Sequence, residues 1–401
     1  MWLSRLSFIK ILPGSKEKER IQSMDLFRGF AVVTMMMVNY LGQFRCMPWA
    51  FKHHPWGLSF ADTVAPYFLF AVGMGYRLGF LHTVKKGGIW RARRAALRRY
   101  LILIIIGIVI YGIDFDVRDP MDALRDLIQR DMWDALVDIG FAGILALPFM
   151  QLGTIALVGA AMGYCSFYQA LYSYTGYGEW TMARSIDGGP LGPLSWVVPL
   201  LLGAVAFDWL KRDKPGRTAT KSIMTGILLI GLGWWLSRFW GFSQKGMTAS
   251  YAIISTGICF VVFASFHVYD WTREWKGARL TVILGGVGVM GLGWWLYVPW
   301  GAPPGEMTMS GSVISTGISC IVLTTFCLVA NAAKIKVLDL VPFGKNPLLL
   351  YIFHFLLIFT VGEWVPKDSP VIVAIASFGA LYVICYLVAS TLARKNYYLR
   401  I

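Results

Sequence analysis

Two adjacent histidines, His53 and His54, stand in a polar stretch between two apolar segments, with Asn39 upstream and Asp62 downstream. These residue types suit acyl transfer. A thioester already carries a good leaving group, so an amine or hydroxyl acceptor still needs a base to take its proton, and imidazole titrates near neutral pH. A carboxylate such as Asp62 would orient the ring and stabilise its charged form, and an amide such as Asn39 would donate to the oxyanion of a tetrahedral intermediate. His53 could instead be acylated itself, which divides the reaction into two steps. On spacing alone, however, a histidine pair in a loop is more often merely exposed. His54 precedes Pro55, which favours extended backbone, so the two rings are expected to point in different directions.

Further polar groups gather at the ends of the same apolar segments. Asp25 and Arg28 are three apart and share one helical face, as an interfacial ion pair that sets topology would require. Tyr40, His54, Trp56 and His354 are candidate contacts to an acceptor. For His354, inside FGKNPLLLYIFHF, a packed core histidine and a cavity-lining one are equally good readings. Asn346 followed by Pro347 reads as a helix start. The run KKGGIWRARRAALRR at 85–99 is explained by membrane topology, and it would also suit the phosphates of coenzyme A, because guanidinium forks bind phosphate oxygens. Arg28, Arg77, Arg94, Arg98, Lys345 and Asn346 are the candidates for that task. There is no Walker-type or dinucleotide motif, and the six cysteines form no C-x-x-C pair, so neither a metal site nor a disulfide framework is indicated.

The elements that must position these groups are membrane helices. The chain of 401 residues is 57% hydrophobic and 15% charged, and an apolar stretch of roughly 20 residues spans a bilayer core. About twelve such stretches lie near 27–45, 58–82, 96–113, 134–150, 153–174, 191–210, 219–240, 249–269, 278–299, 310–332, 345–363 and 368–392. The expected fold is therefore an all-α polytopic transmembrane helical bundle. With an even count, segments on the side of the termini hold 27 of the 37 Lys and Arg residues, against nine on the other side. That bias predicts cytoplasmic termini. The net charge of +15 thus reports topology and not nucleic acid. Residues 1–24 read as a basic cytoplasmic arm and 25–401 as the transmembrane domain. The acidic stretch 114–134 is expected on the outside as an interfacial helix, and the Gly- and Tyr-rich stretch 175–196 as an outer loop.

A duplication runs through the second half. GLGWWL occurs at 231–236 and 291–296, ISTGI at 254–258 and 314–318, and Met247-Thr248 matches Met307-Thr308, all with one offset of sixty residues. A two-helix unit (about 219–270) has been copied to about 278–332 in parallel orientation. Many transporters instead carry inverted repeats across the whole fold.

With these residues in place, the first hairpin resembles the transmembrane acetyltransferase family of heparan-α-glucosaminide N-acetyltransferase and its bacterial relatives. The resemblance rests on DLFRG (25–29), VNY (38–40), KHHPWGLSFAD (52–62), PYFLFAVG (66–73) and FGKNPLLLYIFH (343–354), taken in that order. It implies acetyl-CoA as cytoplasmic donor and an amino sugar or glycan terminus as acceptor on the outer side. It puts the family's essential histidine on His53, not His54, with Asn39 and Asp62 flanking it. It also implies a multi-pass protein of the cytoplasmic (inner) membrane, in contact with lipid and forming a homodimer. Two departures stand out: one residue fewer between Trp56 and Gly57, and LVDI (136–139) where relatives carry Leu-Gln-Arg-Ile. A sugar or small-molecule transporter of the same membrane family is the alternative expectation.

Overall fold

The computed structural model describes residues 10–13, 21–54, 58–111, 120–272, 324, 328, 330, 334–361 and 364–400. In chain order its helices are α1 (Gln22–Leu41), α2 (Ala61–Tyr111), α3 (Pro120–Asp126), α4 (Ala135–Ala146), α5 (Thr154–Tyr174) and α6 (Tyr177–Arg184). They continue with α7 (Pro193–Arg212), α8 (Pro215–Trp240), α9 (Ala249–Thr272), α10 (Val341–Lys345), α11 (Pro347–Val361) and α12 (Val371–Arg394). Helices are what such apolar runs must form, because no water is present in a bilayer core to satisfy the backbone. Among the described residues, α5, α7, α8, α9 and α12 are long and apolar enough to cross a membrane, and two bent pairs, 124–149 and 336–360, raise the number to as many as seven. This is a multi-pass membrane protein. The twelve expected spans are thus seen in part. The second copy of the duplicated unit lies almost wholly outside the described residues.

Several local expectations hold. The join expected at 150–153 is a short turn between a 3-10 turn at Leu147–Phe149 and α5. Within the stretch 114–134, the helix expected there is seen as α3 followed by a π-helical turn at Leu127–Asp131, and its end belongs to the first of the two bent pairs. Asn346 breaks the chain between α10 and α11, which meet at 114°. The all-α expectation needs one correction. Strand β1 (Lys10–Pro13) pairs antiparallel with β2 (Tyr397–Arg400), Lys10 opposite Arg400. These two four-residue segments pair with each other and with no other strand among the described residues.

The chain forms two compact units, one of Met1–His53, Ser59–Val64 and Val262–Ile401, the other of His54–Leu58 and Ala65–Val261. In the first unit, α1 packs on α10, α11 and α12. Gly29 meets the backbone of Leu340, and Gly344 meets that of Asp25, so closely that no Cβ fits at either position. Small residues that let backbones approach are how helices associate without a hydrophobic driving force between them. Phe27 and Phe30 then interlock edge-on and tilted with Phe266, and Phe27 also meets Phe263.

In the second unit, α4, α5 and α8 pack on α7. Helix α2 breaks at Gly87–Gly88, where Gly88 has φ 77°, a conformation natural to glycine. The duplicated motifs acquire a physical meaning here. Gly233 of GLGWWL lies against Ile254 of ISTGI, and Gly257 of ISTGI lies against Gly226 and Ile230. In the first copy the two words are the two faces of one helix–helix contact. Trp234 and Trp235 remain exposed, with Arg238 over the Trp234 ring at 4.2 Å, as interfacial aromatic residues would be.

Candidate functional site

The entry to α2 builds the site. Ser59 Oγ accepts from the Asp62 backbone N–H (3.3 Å), while Asp62 Oδ2 accepts from the Ser59 backbone N–H (2.9 Å) and from Ser59 Oγ (2.8 Å). This is the reciprocal arrangement of a capping box, with Asp in the place of the usual Glu. It starts the helix and, in doing so, fixes the carboxylate. Asp62 is fully buried, and its other oxygen, Oδ1, receives His53 Nδ1 at 2.9 Å. A carboxylate only accepts, so Nδ1 carries the proton and Nε2 is the basic nitrogen of the ring. The His53 side chain is 53% exposed. A buried, doubly anchored aspartate thus holds a half-exposed imidazole in one tautomer, the geometry from which a histidine accepts a proton or attacks a carbonyl carbon.

The loop carrying His53 is itself anchored. Residues Trp49–Phe51 form a 3-10 turn, Phe51 meets Phe60 edge-on at 6.4 Å, and Lys52 Nζ donates to Arg45 O at 3.2 Å. The Arg45 backbone N–H donates to Lys367 O at 2.8 Å, tying the loop to the segment before α12.

The structure places the other candidates differently from one another. Asn39 directs its Nδ2 to His354 Nε2 at 3.3 Å, across 315 residues of sequence. His354 Nδ1 donates to Leu350 O at 3.3 Å, so its Nε2 accepts from the amide. That ring is fully buried and is a packed, hydrogen-bonded histidine, one of the two readings left open by the sequence. Tyr40 packs against Phe44 and Phe378, and its buried hydroxyl has no hydrogen-bond partner among the described residues. His54 is half-buried and belongs to the second unit. Trp56 lies outside the described residues.

Among the basic candidates, Arg94 and Arg98 are exposed on α2 beyond its break, and Lys345 is half-buried. Asn346 donates from Nδ2 to Tyr397 O at 2.9 Å, holding β2. Arg28 pairs with Asp25 at 3.5 Å, as its spacing predicts. Arg77 is buried and heavily engaged. Its Nε and Nη2 bind both oxygens of Asp208 at 2.9 Å, Nη1 donates to Met150 O at 2.5 Å, and Nη2 also donates to Leu152 O at 2.9 Å. Four of its five N–H groups are thereby taken, so it clamps α2, the 150–153 turn and α7 together. Asp208 and Ser59 are the positions that sequence reasoning missed. Ser59-x-x-Asp62 before an apolar run was a legible signal; the partnership of Arg77 and Asp208, 131 residues apart, was not. No group of three or more His, Cys, Asp and Glu suited to a metal ion occurs among the described residues.

Comparison with known proteins identifies the family. The family model described as heparan-alpha-glucosaminide N-acetyltransferase, catalytic, matches residues 20–238, a stretch that includes His53, Ser59 and Asp62. Heparan-alpha-glucosaminide N-acetyltransferase from Homo sapiens is 39% identical over 93 residues, covering 23% of this chain and 14% of that protein. The Mus musculus protein of the same name is 37% identical over 93 residues, with the same coverage. The match thus spans well under two thirds of the length of these relatives.

Proposed function

Since the chain belongs to the heparan-alpha-glucosaminide N-acetyltransferase catalytic family, we propose that it is a transmembrane acetyltransferase that moves an acetyl group from acetyl-CoA to the amino group of a sugar or glycan terminus. The observation that carries this reading is the His53–Asp62 pair, with the carboxylate buried and the imidazole half-exposed. His53 Nε2 takes the proton from the acceptor nitrogen as that nitrogen attacks the thioester carbonyl. The tetrahedral intermediate then collapses with cleavage of the C–S bond, and the proton is returned to the coenzyme A thiolate. Asp62 stabilises the imidazolium formed between these two events, and it does so without reorganising, because Ser59 already fixes its second oxygen. An acylated His53 is the alternative order of the same events, with Nε2 attacking the thioester first.

In this reading Arg94 and Arg98, both exposed on α2, are candidates to bind the donor's phosphates. Arg77, with most of its donors taken, acts as a positioning residue instead. The Asn39 amide, seated on His354, links α1 to α11 and fixes the helix that leads into the His53 loop. The charge bias supports a donor on the cytoplasmic side of the inner membrane and an acceptor outside.

The test is transfer of labelled acetyl from acetyl-CoA to glucosamine by the purified protein. His53→Ala is expected to lower the rate by about a hundredfold to ten-thousandfold, the usual worth of a positioned general base. Full activity in that variant would remove the mechanism.

A further inference from the structure

Asp138, in the first turn of α4 within the second unit, is fully buried, and neither of its carboxylate oxygens has a hydrogen-bond partner among the described residues. The helix does not need it, because the N-cap Asp134 already accepts from the Ala135 backbone N–H at 2.6 Å. Among the described residues, the charges that act on it are the carboxylates of Asp187 and Asp134. A buried polar group without partners is costly, and a buried charge far more so. Protonation would remove the charge and still leave the carboxyl's O–H and C=O unmet.

The surroundings are built. Tyr168 and Tyr177 both lie near enough to feel Asp138 electrostatically. Tyr177 stacks on Trp180 with ring centroids 5.5 Å apart and meets Tyr168 edge-on at 6.4 Å. Over these rings folds the 185–192 loop, where Asp187, Gly188 and Gly189 are all left-handed, at φ 49°, 84° and 58°. Asp187 does not adopt that conformation for free, and side chains hold it. Tyr177 Oη donates to Gly188 O (2.6 Å) and accepts from the Leu191 N–H (2.9 Å). Trp196 Nε1 donates to Asp187 O (3.0 Å), and Gln244 Nε2 to Asp187 Oδ1 (2.7 Å). Ser195, beside Trp196, is a second buried hydroxyl without a partner among the described residues.

We propose that Asp138 and Asp187, beside the rings of Tyr168 and Tyr177, form a binding site for the protonated amino group of an amino sugar. Converging acidic groups and aromatic faces are the chemistry that holds an organic ammonium, and its N–H donors are what two orphaned oxygens require. A hard metal cation would want more oxygen ligands than are gathered here. The choice of a sugar as the carrier of the ammonium rests on the acetyltransferase reading; the ammonium chemistry does not. The sequence marks the place, since LVDI puts an acid at 138 where the resembling family carries Arg.

The experiment is a binding titration of the full-length detergent-solubilised protein in amine-free phosphate buffer without acetyl-CoA, followed by tryptophan fluorescence. Glucosamine, N-acetylglucosamine and glucose are the probes. Glucosamine is expected to bind at least tenfold more tightly than the two uncharged sugars, and Asp138→Asn to bring the three within about twofold of one another, since a full unpaired-charge contact is worth at least that factor. Asp187→Asn, which leaves α4 untouched, is expected to reduce the preference a few-fold and serves if Asp138→Asn does not fold. Equal affinity of the wild-type protein for the three sugars, or an undiminished preference in both variants, overturns the proposal. His53→Ala is expected to lower transfer by about a hundredfold or more and keep the preference. A preference that persists although no amine is ever acetylated would sink the acetyltransferase reading alone. Transfer without the preference would sink this site alone.

Discussion

Asp62 and Asp138 make an instructive pair. Both are buried aspartates in the first turn of a helix, one at the start of α2 and the other at the start of α4. Asp62 has both carboxylate oxygens met by near neighbours in sequence: two donors from Ser59, three residues before it, and the His53 imidazole. Its desolvation is offset within its own turn. In α4 the capping task falls to Asp134, four residues earlier, and Asp138 is left without a hydrogen-bond partner among the described residues. Asp208 stands between them, buried like both, but matched by the charge of Arg77 and by Thr154 Oγ1 at 3.1 Å. One residue type thus occurs in three states: satisfied by hydrogen bonds, satisfied by an ion pair, and unsatisfied. The first orients a base, the second holds helices together, and the third has the energetic signature of a place where something binds.

The largest expected effect tests the first state. In Asp62→Asn one carboxylate oxygen becomes an NH2 donor. Either Ser59 faces that donor and the helix start is weakened, or His53 faces it and must present Nδ1 as acceptor, which reverses the tautomer. The rate of acetyl transfer is expected to fall by about a thousandfold, or about 4 kcal/mol, on the scale of losing a properly oriented base. Thermal stability should change far less. A rate within tenfold of wild type would show that the pair is only a structural contact.

The second state is tested by stability. Arg77→Met leaves Asp208 buried with only a hydroxyl to meet it and strips Met150 and Leu152 of their donors. A loss of about 3–5 kcal/mol is expected, as when one partner of a buried pair is removed. Adding Asp208→Leu should recover most of that loss, because two apolar side chains need no partners. If the double variant is as unstable as the single one, the two carbonyl contacts matter more than the charge pair. Ser59→Ala is milder. It removes the cap and one hydrogen bond to Asp62, with an expected cost of about 1 kcal/mol and a several-fold loss of rate, since the carboxylate keeps His53 but gains freedom to turn.

What could be read in advance follows the same division. Contacts made within one turn are written locally: Asp25 with Arg28, Asn346 with Pro347, and Ser59 with Asp62, the last present in the text and not noticed. His53 and Asp62, nine residues apart, were reachable because residue chemistry and family resemblance pointed to the same loop. The helices were legible wherever apolar runs were long, down to the short turn at 150–153. The long-range matches were not. Nothing near Arg77 announces Asp208, and nothing near Asn39 announces His354, because those partners are chosen by how helices cross. The terminal β-ribbon was missed for the same reason, since neither strand shows alternation and each exists only through the other. The duplication was visible as words, but its meaning, glycines of one helix receiving the next, needed the packing of α8 on α9.

The smallest effect bears on the third state, and its sign is the useful part. In the absence of ligand, Asp138→Asn exchanges an unpaired acid, surrounded by acids, for a neutral amide of the same shape. If Asp138 is an empty receptor, the variant should be more stable than wild type by about 1 kcal/mol, because the amide leaves its own polar atoms unmet but takes an acid away from the neighbouring carboxylates. Saturating glucosamine should then reverse the order. Glucosamine at about a hundredfold its wild-type Kd stabilises the wild type by about 2.7 kcal/mol, and a variant that binds it tenfold less tightly by about 1.4 kcal/mol. Melting curves of both proteins with and without the sugar give all four numbers. A ligand-free variant less stable than wild type would mean that Asp138 has a structural partner, and its likeness to Asp62 would then be closer than their hydrogen bonds suggest.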